Sequence, residues 1–221
     1  MASIWQRLQH HPVVPVVWDA AGLLEASRSP VAAVFLQYGS ISNLQESCRR
    51  LKQARREAKI FFHIDLAEGI AADEAGVRFA RGAGVDGILT TKPSLVEAAK
   101  NAGLATVLRV FIQDSRSLRR AVQLALRCGP DALDALPGPV VPDVMADLRE
   151  SLSQPIIAGG LIRREGQVRA LLQAGCRAVD TSNQELWALN AVLQIRDRRA
   201  PRQVSGMQKI DNMPIDHALG I

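Results

Sequence analysis

Short apolar runs alternate with amphipathic stretches along most of this chain, and the alternation predicts strands followed by helices. Apolar runs occur at Val16–Trp18, Val31–Phe35, Phe61–Asp65, Gly87–Thr90, Thr106–Phe111, Ala132–Ala135, Pro155–Ala158 and Ala178–Thr181. Near-continuous runs of this kind fit strands covered on both faces, as in a parallel sheet. Between them the period lengthens to that of a helix, at Asn43–Ala58, Leu95–Ala102, Ser117–Leu126, Pro142–Leu152 and Gly166–Ala174, and the short first interval leaves room only for a stubby helix near Ala20–Ser27. Gly103, Gly129 and Gly175 stand where a left-handed cap would end a helix. A last helix is expected over Gln184–Ile195, with Trp187 packing it against the strands.

Eight such β-then-α units, about 20–30 residues apart after a shorter first interval, predict an α/β protein built as a single compact (β/α)8 barrel of the TIM type. The rival is an open, doubly wound sheet. It would carry a glycine-rich turn after its first strand, whereas Asp19-Ala-Ala-Gly22 stands here. Pro15 has no N–H for a ladder, so the first strand is expected to start just after it. Residues 1–195 form the expected barrel. Residues 196–221, polar and carrying Pro201 and Pro214, read as a basic, mobile tail.

Composition narrows the picture without changing it. Of 221 residues, 48% are hydrophobic and 22% charged, which excludes wholesale disorder. Lys and Arg exceed Asp and Glu by 27 to 22, part of the excess lying in Arg196-Asp-Arg-Arg-Ala-Pro-Arg202; an anionic partner is permitted but not required. Cys48, Cys128 and Cys176 are widely spaced, which argues against a disulfide framework or zinc site and for a reducing compartment. The four histidines lack ligand spacing to Cys or carboxylates, so no metal and no cofactor is expected. No apolar run approaches the ~18 residues needed to span a bilayer, and the first residues lack a signal peptide's apolar core. A cytoplasmic protein is the expectation.

In a barrel of this kind, chemistry sits where the C-terminal ends of the strands meet the following loops. Strand three ends in His63-Ile64-Asp65, where alternation points His63 and Asp65 inward and Ile64 toward a helix. Strand four ends in Thr90-Thr91-Lys92, strand five carries Arg109 and Phe111, and strand six carries Asp134 before Leu136-Pro137-Gly138. Gly159-Gly160 after strand seven and Thr181-Ser182-Asn183 after strand eight recreate the usual phosphate cradle of such barrels. Glycines let backbone N–H groups approach an anion that the helix termini also favour. The plainer reading is that the two glycines turn the chain and Ser182 caps the last helix. Lys92 and Arg109 suit either a bound phosphate or internal pairs with Asp65 and Asp134.

Two basic stripes suit a polyanion. At 100° per residue, Arg49, Lys52, Arg55, Arg56 and Lys59 share an arc of about 120°, with Leu44, Leu51, Ala54 and Ala58 opposite. Arg116, Arg119, Arg120 and Arg127 share an arc of about 100° on the helix after strand five. Solvated helix faces are the plainer reading of both. Three units of an eightfold ring separate them by about 135°, so only a homodimer would join them into one patch. Few aromatics are evident for stacking on bases.

At the strand ends the sequence resembles the glycerol uptake operon antiterminator regulatory protein family. The resemblance rests on Phe62-His63-Ile64-Asp65-Leu66 with Glu68-Gly69-Ile70, Gly87-Ile88-Leu89-Thr90-Thr91-Lys92, Leu136-Pro137-Gly138, Ala158-Gly159-Gly160-Leu161-Ile162, and Thr181-Ser182-Asn183 with Leu186-Trp187. It runs from about Pro12 to Leu189. It implies a non-catalytic barrel that senses glycerol 3-phosphate and binds the leader of a glycerol-utilisation messenger RNA, so that polymerase passes a terminator. Gly160 and Ser182 would then hold the phosphate, and Asp65 and Asp134 would accept from the glycerol hydroxyls. Asp134 stands where the family's pattern tends to carry Glu. The second reading of the same residues is an enzyme acting on a small phosphorylated substrate, with Asp65 or Asp134 as base and Lys92 as its partner.

Overall fold

A computed structural model describes residues 4–193. Eight parallel strands close into a barrel in sequence order: β1 (Val13–Val17), β2 (Ala33–Leu36), β3 (Lys59–His63), β4 (Gly87–Thr90), β5 (Ala105–Phe111), β6 (Ala132–Leu136), β7 (Ile156–Gly159) and β8 (Ala178–Thr181), with β8 pairing back onto β1. The helices are α1 (Ile4–His10), α2 (Ala20–Arg28), α3 (Leu44–Ala54), α4 (Glu74–Gly82), α5 (Pro93–Asn101), α6 (Ser115–Cys128), α7 (Val141–Ser151) and α8 (Glu165–Gln173). The predicted (β/α)8 barrel is the fold.

The period-2 alternation divides the apolar residues into two clusters. One face of each strand packs on the helices, as with Val34, Leu36, Ile60, Phe62, Leu108 and Val179. The other face fills the barrel with Val14, Phe35, Phe61, Leu89, Val107 and Ile157. Burying a Leu, Val or Phe side chain is worth roughly 1.5–3 kcal/mol, so these two shells dominate stability. Above the apolar filling, at the C-terminal ends of the strands, the inward positions become polar: His63, Arg109, Asp134 and Asp180 are all buried. That change places the site.

Several boundaries differ from the sequence expectation. β1 begins at Val13 and contains Pro15, in register with Thr181; the ladder there simply lacks one donor. Asn190 anchors the start of this strand, accepting from the Val13 N–H at 2.9 Å and donating to its carbonyl at 2.8 Å. β3 ends at His63, and Ile64–Leu66 turns as a short 3-10 helix, so Asp65 sits on a turn rather than on the strand. α3 stops at Ala54, so Arg56 and Lys59 leave its face and the first basic arc is interrupted. Two helices, α1 and α4, fall outside the expected segments, although α4 is amphipathic and buries Val77 and Ala80. α1 lies across the N-terminal end of the barrel, with Leu8 buried and Trp5 tilted against Phe61 at 5.9 Å.

The expected last helix opens as a 3-10 turn over Gln184–Ala188 and is helical through 189–193; its remaining residues and the tail 196–221 lie outside the described residues. Trp187 packs as expected, buried in the helix-side cluster and donating from Nε1 to the Thr181 carbonyl at 2.9 Å. All three cysteines are free thiols, and burial pushes Cys48 and Cys176 up to about 12, which keeps them unreactive. No helix among the described residues is long and apolar enough to cross a membrane.

Candidate functional site

A cavity of about 480 Å³ opens at the C-terminal mouth of the barrel. Of the ten residues that the sequence nominates for a phosphorylated ligand, Arg109, Gly160, Thr181, Ser182 and Asn183 line it. Val16, Trp18, Gln37, Phe111, Leu161 and Arg163 complete most of the wall.

The β7 exit is the most strained part of the wall. Gly160 has φ +72° and Leu161 follows at φ +59°, a conformation that costs a non-glycine residue about 1–3 kcal/mol. The backbone N–H groups of Leu161, Ile162 and Ser182 carry no hydrogen bond among the described residues. Across the cavity edge, Asn183 caps the 3-10 turn by accepting from the Glu185 N–H at 3.2 Å. That role was open to Ser182, whose hydroxyl is exposed and makes no hydrogen bond among the described residues. The Thr181 hydroxyl, by contrast, is taken: it donates to the Ile162 carbonyl at 3.0 Å and accepts from the Asn183 N–H at 3.1 Å. Gly138 stands behind this loop, donating to the Gly160 carbonyl at 3.2 Å, and a Cβ there would collide with Ile162.

Below the mouth lies an ion cluster built by the register of β5, β6 and β8. Arg109 and Asp134 are ladder partners, and Arg109 Nε donates to Asp134 Oδ2 at 2.6 Å. Asp180, which the sequence reading did not select, places Oδ2 3.5 Å from Arg109 Nη2 and lines the cavity. Alternation after Ala178 is the signal that would have found it. One guanidinium cannot balance two buried carboxylates. Burial and the Asp134 charge push the Asp180 carboxyl well above the ordinary carboxylate range, against the pull of Arg109, and so favour its protonated form. Arg109 is itself disfavoured by burial, but Asp134 and then Asp180 hold its charge more firmly than usual. Asp134 Oδ1, Asp180 Oδ1 and both ring nitrogens of His63 are buried without a hydrogen bond among the described residues. Buried polar atoms in that state call for water or a ligand.

The remaining nominated residues lie elsewhere. Asp134 is fully buried behind Arg109 rather than on the cavity wall. Asp65 ties β3 to β4, accepting from the Thr90 hydroxyl at 2.7 Å, the Thr91 N–H at 2.6 Å and the Thr91 hydroxyl at 2.7 Å. Burial would raise its carboxyl, but His63 3.7 Å away and these donors outweigh that and hold it well below the usual range. Lys92 is exposed at the N-cap of α5. Gly159 lies under the Asp180 carboxylate. The Asp65, Asp134 and Lys92 set of the enzyme reading is therefore not gathered on the cavity. Among the described residues no cluster of three His, Cys, Asp or Glu side chains is placed to hold a metal.

The two basic stripes differ sharply. In the first stripe, Arg49 and Arg50 on α3 both pair with Glu46; Lys52 on α3 and Lys59 on β3 both clamp Asp86, at 2.6 and 2.8 Å; and Arg55, just past α3, donates to the carbonyls of Ser27 and Arg28. On α6, Arg116, Arg119, Arg120 and Arg127 surround a surface groove of about 400 Å³ with Gln123 and Leu124. None of these four forms an ion pair among the described residues. Three other helices, α2, α4 and α8, each set a Glu one turn from an Arg: Glu25 with Arg28, Glu74 with Arg78 and Glu165 with Arg169.

A cavity at the C-terminal mouth, above buried polar side chains, is common to many barrels, and sequence comparison decides among them. A sequence model of the family described as glycerol-3-phosphate responsive antiterminator matches residues 13–187. The chain belongs to this family. It is 34% identical over 183 residues to the uncharacterized protein YgcP of Escherichia coli K12, covering 82% of this chain and 94% of that protein. Among solved structures it resembles a glycerol uptake operon antiterminator-related protein from Thermotoga maritima, with 32% identity, a TM-score of 0.71, and coverage of 79% of this chain and 96% of the other. It also resembles the glycerol uptake operon antiterminator regulatory protein of Listeria monocytogenes, with 26% identity, a TM-score of 0.74, and coverage of 79% and 94%. The antiterminator family, already suggested by the strand-end motifs, thus covers the whole barrel.

Proposed function

We propose that this chain is a non-catalytic regulator that binds glycerol 3-phosphate in the barrel mouth and, so loaded, binds a glycerol-operon leader RNA to prevent termination. The observation that carries the reading is the composite cavity, with uncommitted donors on its rim and a protonatable acid on its floor. The phosphate sits against the N–H groups of Leu161, Ile162 and Ser182 and the Ser182 hydroxyl, with Arg163 on the same wall supplying positive charge. Arg109 is already balanced by Asp134 and does not serve as the phosphate's counterion. The glycerol hydroxyls point down to Asp180, which as an acid both donates and accepts. Asp134 acts through Arg109, and Asp65 holds the β3–β4 edge of the site. α6 supplies the main phosphate track for RNA, because its guanidinium groups form no ion pair among the described residues, where those of α3 are engaged.

The test is a gel shift with the leader transcripts of glycerol kinase and glycerol-3-phosphate dehydrogenase operons, at low salt, with and without glycerol 3-phosphate. A ligand-dependent shift supports the reading. The absence of any shift in both conditions overturns it, and turnover of glycerol 3-phosphate or a triose phosphate would replace it with the enzyme reading.

A further inference from the structure

Among the described residues, ten large apolar side chains are exposed, and six of them stand at the C-terminal ends of strands or on the loops that follow: Trp18, Ile41, Leu66, Phe111, Val140 and Leu161. The exposed apolar surface is therefore concentrated on the face that bears the cavity. Trp18 and Phe111 are 55% and 52% exposed, and both line the cavity. Trp18 is the inward position after Val16 on β1; Phe111 is the inward position after Arg109 on β5. β1 and β5 are diametrically opposed in a ring of eight. Two aromatic faces thus stand on opposite sides of one opening, above a polar floor.

Nothing about a three-carbon phosphate calls for them. Such a ligand satisfies its charge and hydroxyls at the β7 and β8 exits, and it is much smaller than the occupants typical of pockets of roughly 300–1,000 Å³. The upper part of the cavity stays open over it. Flat, apolar rings at the edge of a polar opening match the faces of nucleobases, which stack on aromatics whatever their sequence. The charge around them fits the same partner. Only Ile112, Gln113 and the N-cap Asp114 separate Phe111 from α6, whose arginines, without an ion pair among the described residues, line the groove described above. The Asp114 carboxylate is occupied by the Ser117 N–H at 2.7 Å. One β–α unit therefore carries an aromatic at the cavity edge and a run of phosphate-seeking groups leading away from it.

Building on the proposed function, we infer that the barrel mouth is the base-binding part of the RNA interface: unpaired nucleobases stack on Trp18 and Phe111 across the opening, with the bound phosphorylated ligand as their floor, while the adjoining backbone phosphates follow α6. This arrangement would couple the two ligands. A filled cavity presents the bases with a solid surface, and by linkage RNA tightens glycerol 3-phosphate by the same factor that glycerol 3-phosphate tightens RNA.

The experiment measures fluorescence anisotropy of a labelled glycerol kinase leader transcript with the full chain, at several salt concentrations, with and without glycerol 3-phosphate. Trp18→Ala and Phe111→Ala are expected to weaken binding of the ligand-loaded protein about tenfold or more each, with the salt slope unchanged. Trp18→Phe should recover most of the loss. Arg119→Gln and Arg120→Gln should instead flatten the slope by about 0.7 per phosphate contact removed. Wild-type affinity and ligand dependence in both aromatic variants would overturn the stacking role while leaving the antiterminator reading intact. A change of oligomeric state in sedimentation, with RNA affinity unaltered, would overturn it in favour of a second copy on this face. Failure of the wild-type chain to bind the transcript at low salt in either condition would overturn both readings together.

Discussion

Gly159 and Asp180 are ladder partners on β7 and β8, and the Asp180 carboxylate fills the space that a side chain at residue 159 would need. A Cβ on Gly159 would lie no more than 2.6 Å from either carboxylate oxygen. Asp180 has no retreat, being 2% exposed and held beside Arg109. Gly159→Ala is expected to cost about 1–3 kcal/mol in urea unfolding. Adding Asp180→Ala should return part of that loss, giving a favourable coupling in a double-mutant cycle. Strict additivity would mean that this contact is not what requires the glycine.

Ligand binding should show in thermal stability. At a ligand concentration about 100 times Kd the folded state gains about 2.7 kcal/mol, and for a chain of this size that raises Tm by roughly 5–10 °C. Gly160→Asp should abolish the shift by placing a like charge in the cradle. It should also lower the starting Tm, since residue 160 sits at φ +72° with Leu136 3.2 Å from any added Cβ. Ser182→Ala, at an exposed position, should reduce the ligand shift with no loss of starting Tm. A full ligand shift in both variants would remove the phosphate from this edge.

Asp65 makes acid stability a local measurement. Its folded carboxyl lies below the ordinary 3.8, so its bonds to Thr90 and Thr91 contribute fully above that pH and are lost as pH falls through the folded value. Urea midpoints at pH 7 and pH 3 should fall for the wild-type chain. Asp65→Asn should be less stable at pH 7 and lose less on going to pH 3. An equal loss in both chains would place the acid sensitivity elsewhere.

The cations of the first basic stripe should behave as structural groups. Asp86 accepts from Lys52, Lys59 and the Ile60 N–H. Burial would raise its carboxyl, but these donors bring it below the usual range. Asp86→Ala should cost about 2–3 kcal/mol by leaving that set without its acceptor. Lys52→Gln should lower stability while leaving the salt slope of RNA binding unchanged, in contrast to Arg119→Gln. A flattened slope with Lys52→Gln would bring α3 back into the RNA interface.

The architecture was legible because buried parallel strands leave continuous apolar runs, and because glycine caps such as Gly129 punctuate the helices. The site was legible by halves. Gly160 and Ser182 follow from strand ends and residue type alone. Asp180 did not, because a single acid between Val179 and Thr181 shows its side only once the register through Ala178 is known. Asp65 misled for the related reason that alternation stops where β3 becomes a turn. The two arginine stripes look alike on a helical wheel. They differ through partners distant in sequence, such as Asp86, which no wheel displays. Trp18 closes the first apolar run, but β1 ends at Val17 and leaves the indole exposed at the cavity edge.

The packing of α1 under the barrel has one more consequence. With Leu8, Trp5 and Phe61 sealing the far end and apolar side chains filling the interior, the cavity is a cul-de-sac. A small molecule seated there can depart only through the doorway between β1 and β5. Whatever lies across that doorway therefore governs how long the guest stays, and a polymer bound there would turn a fleeting metabolite into a timer set by its own release.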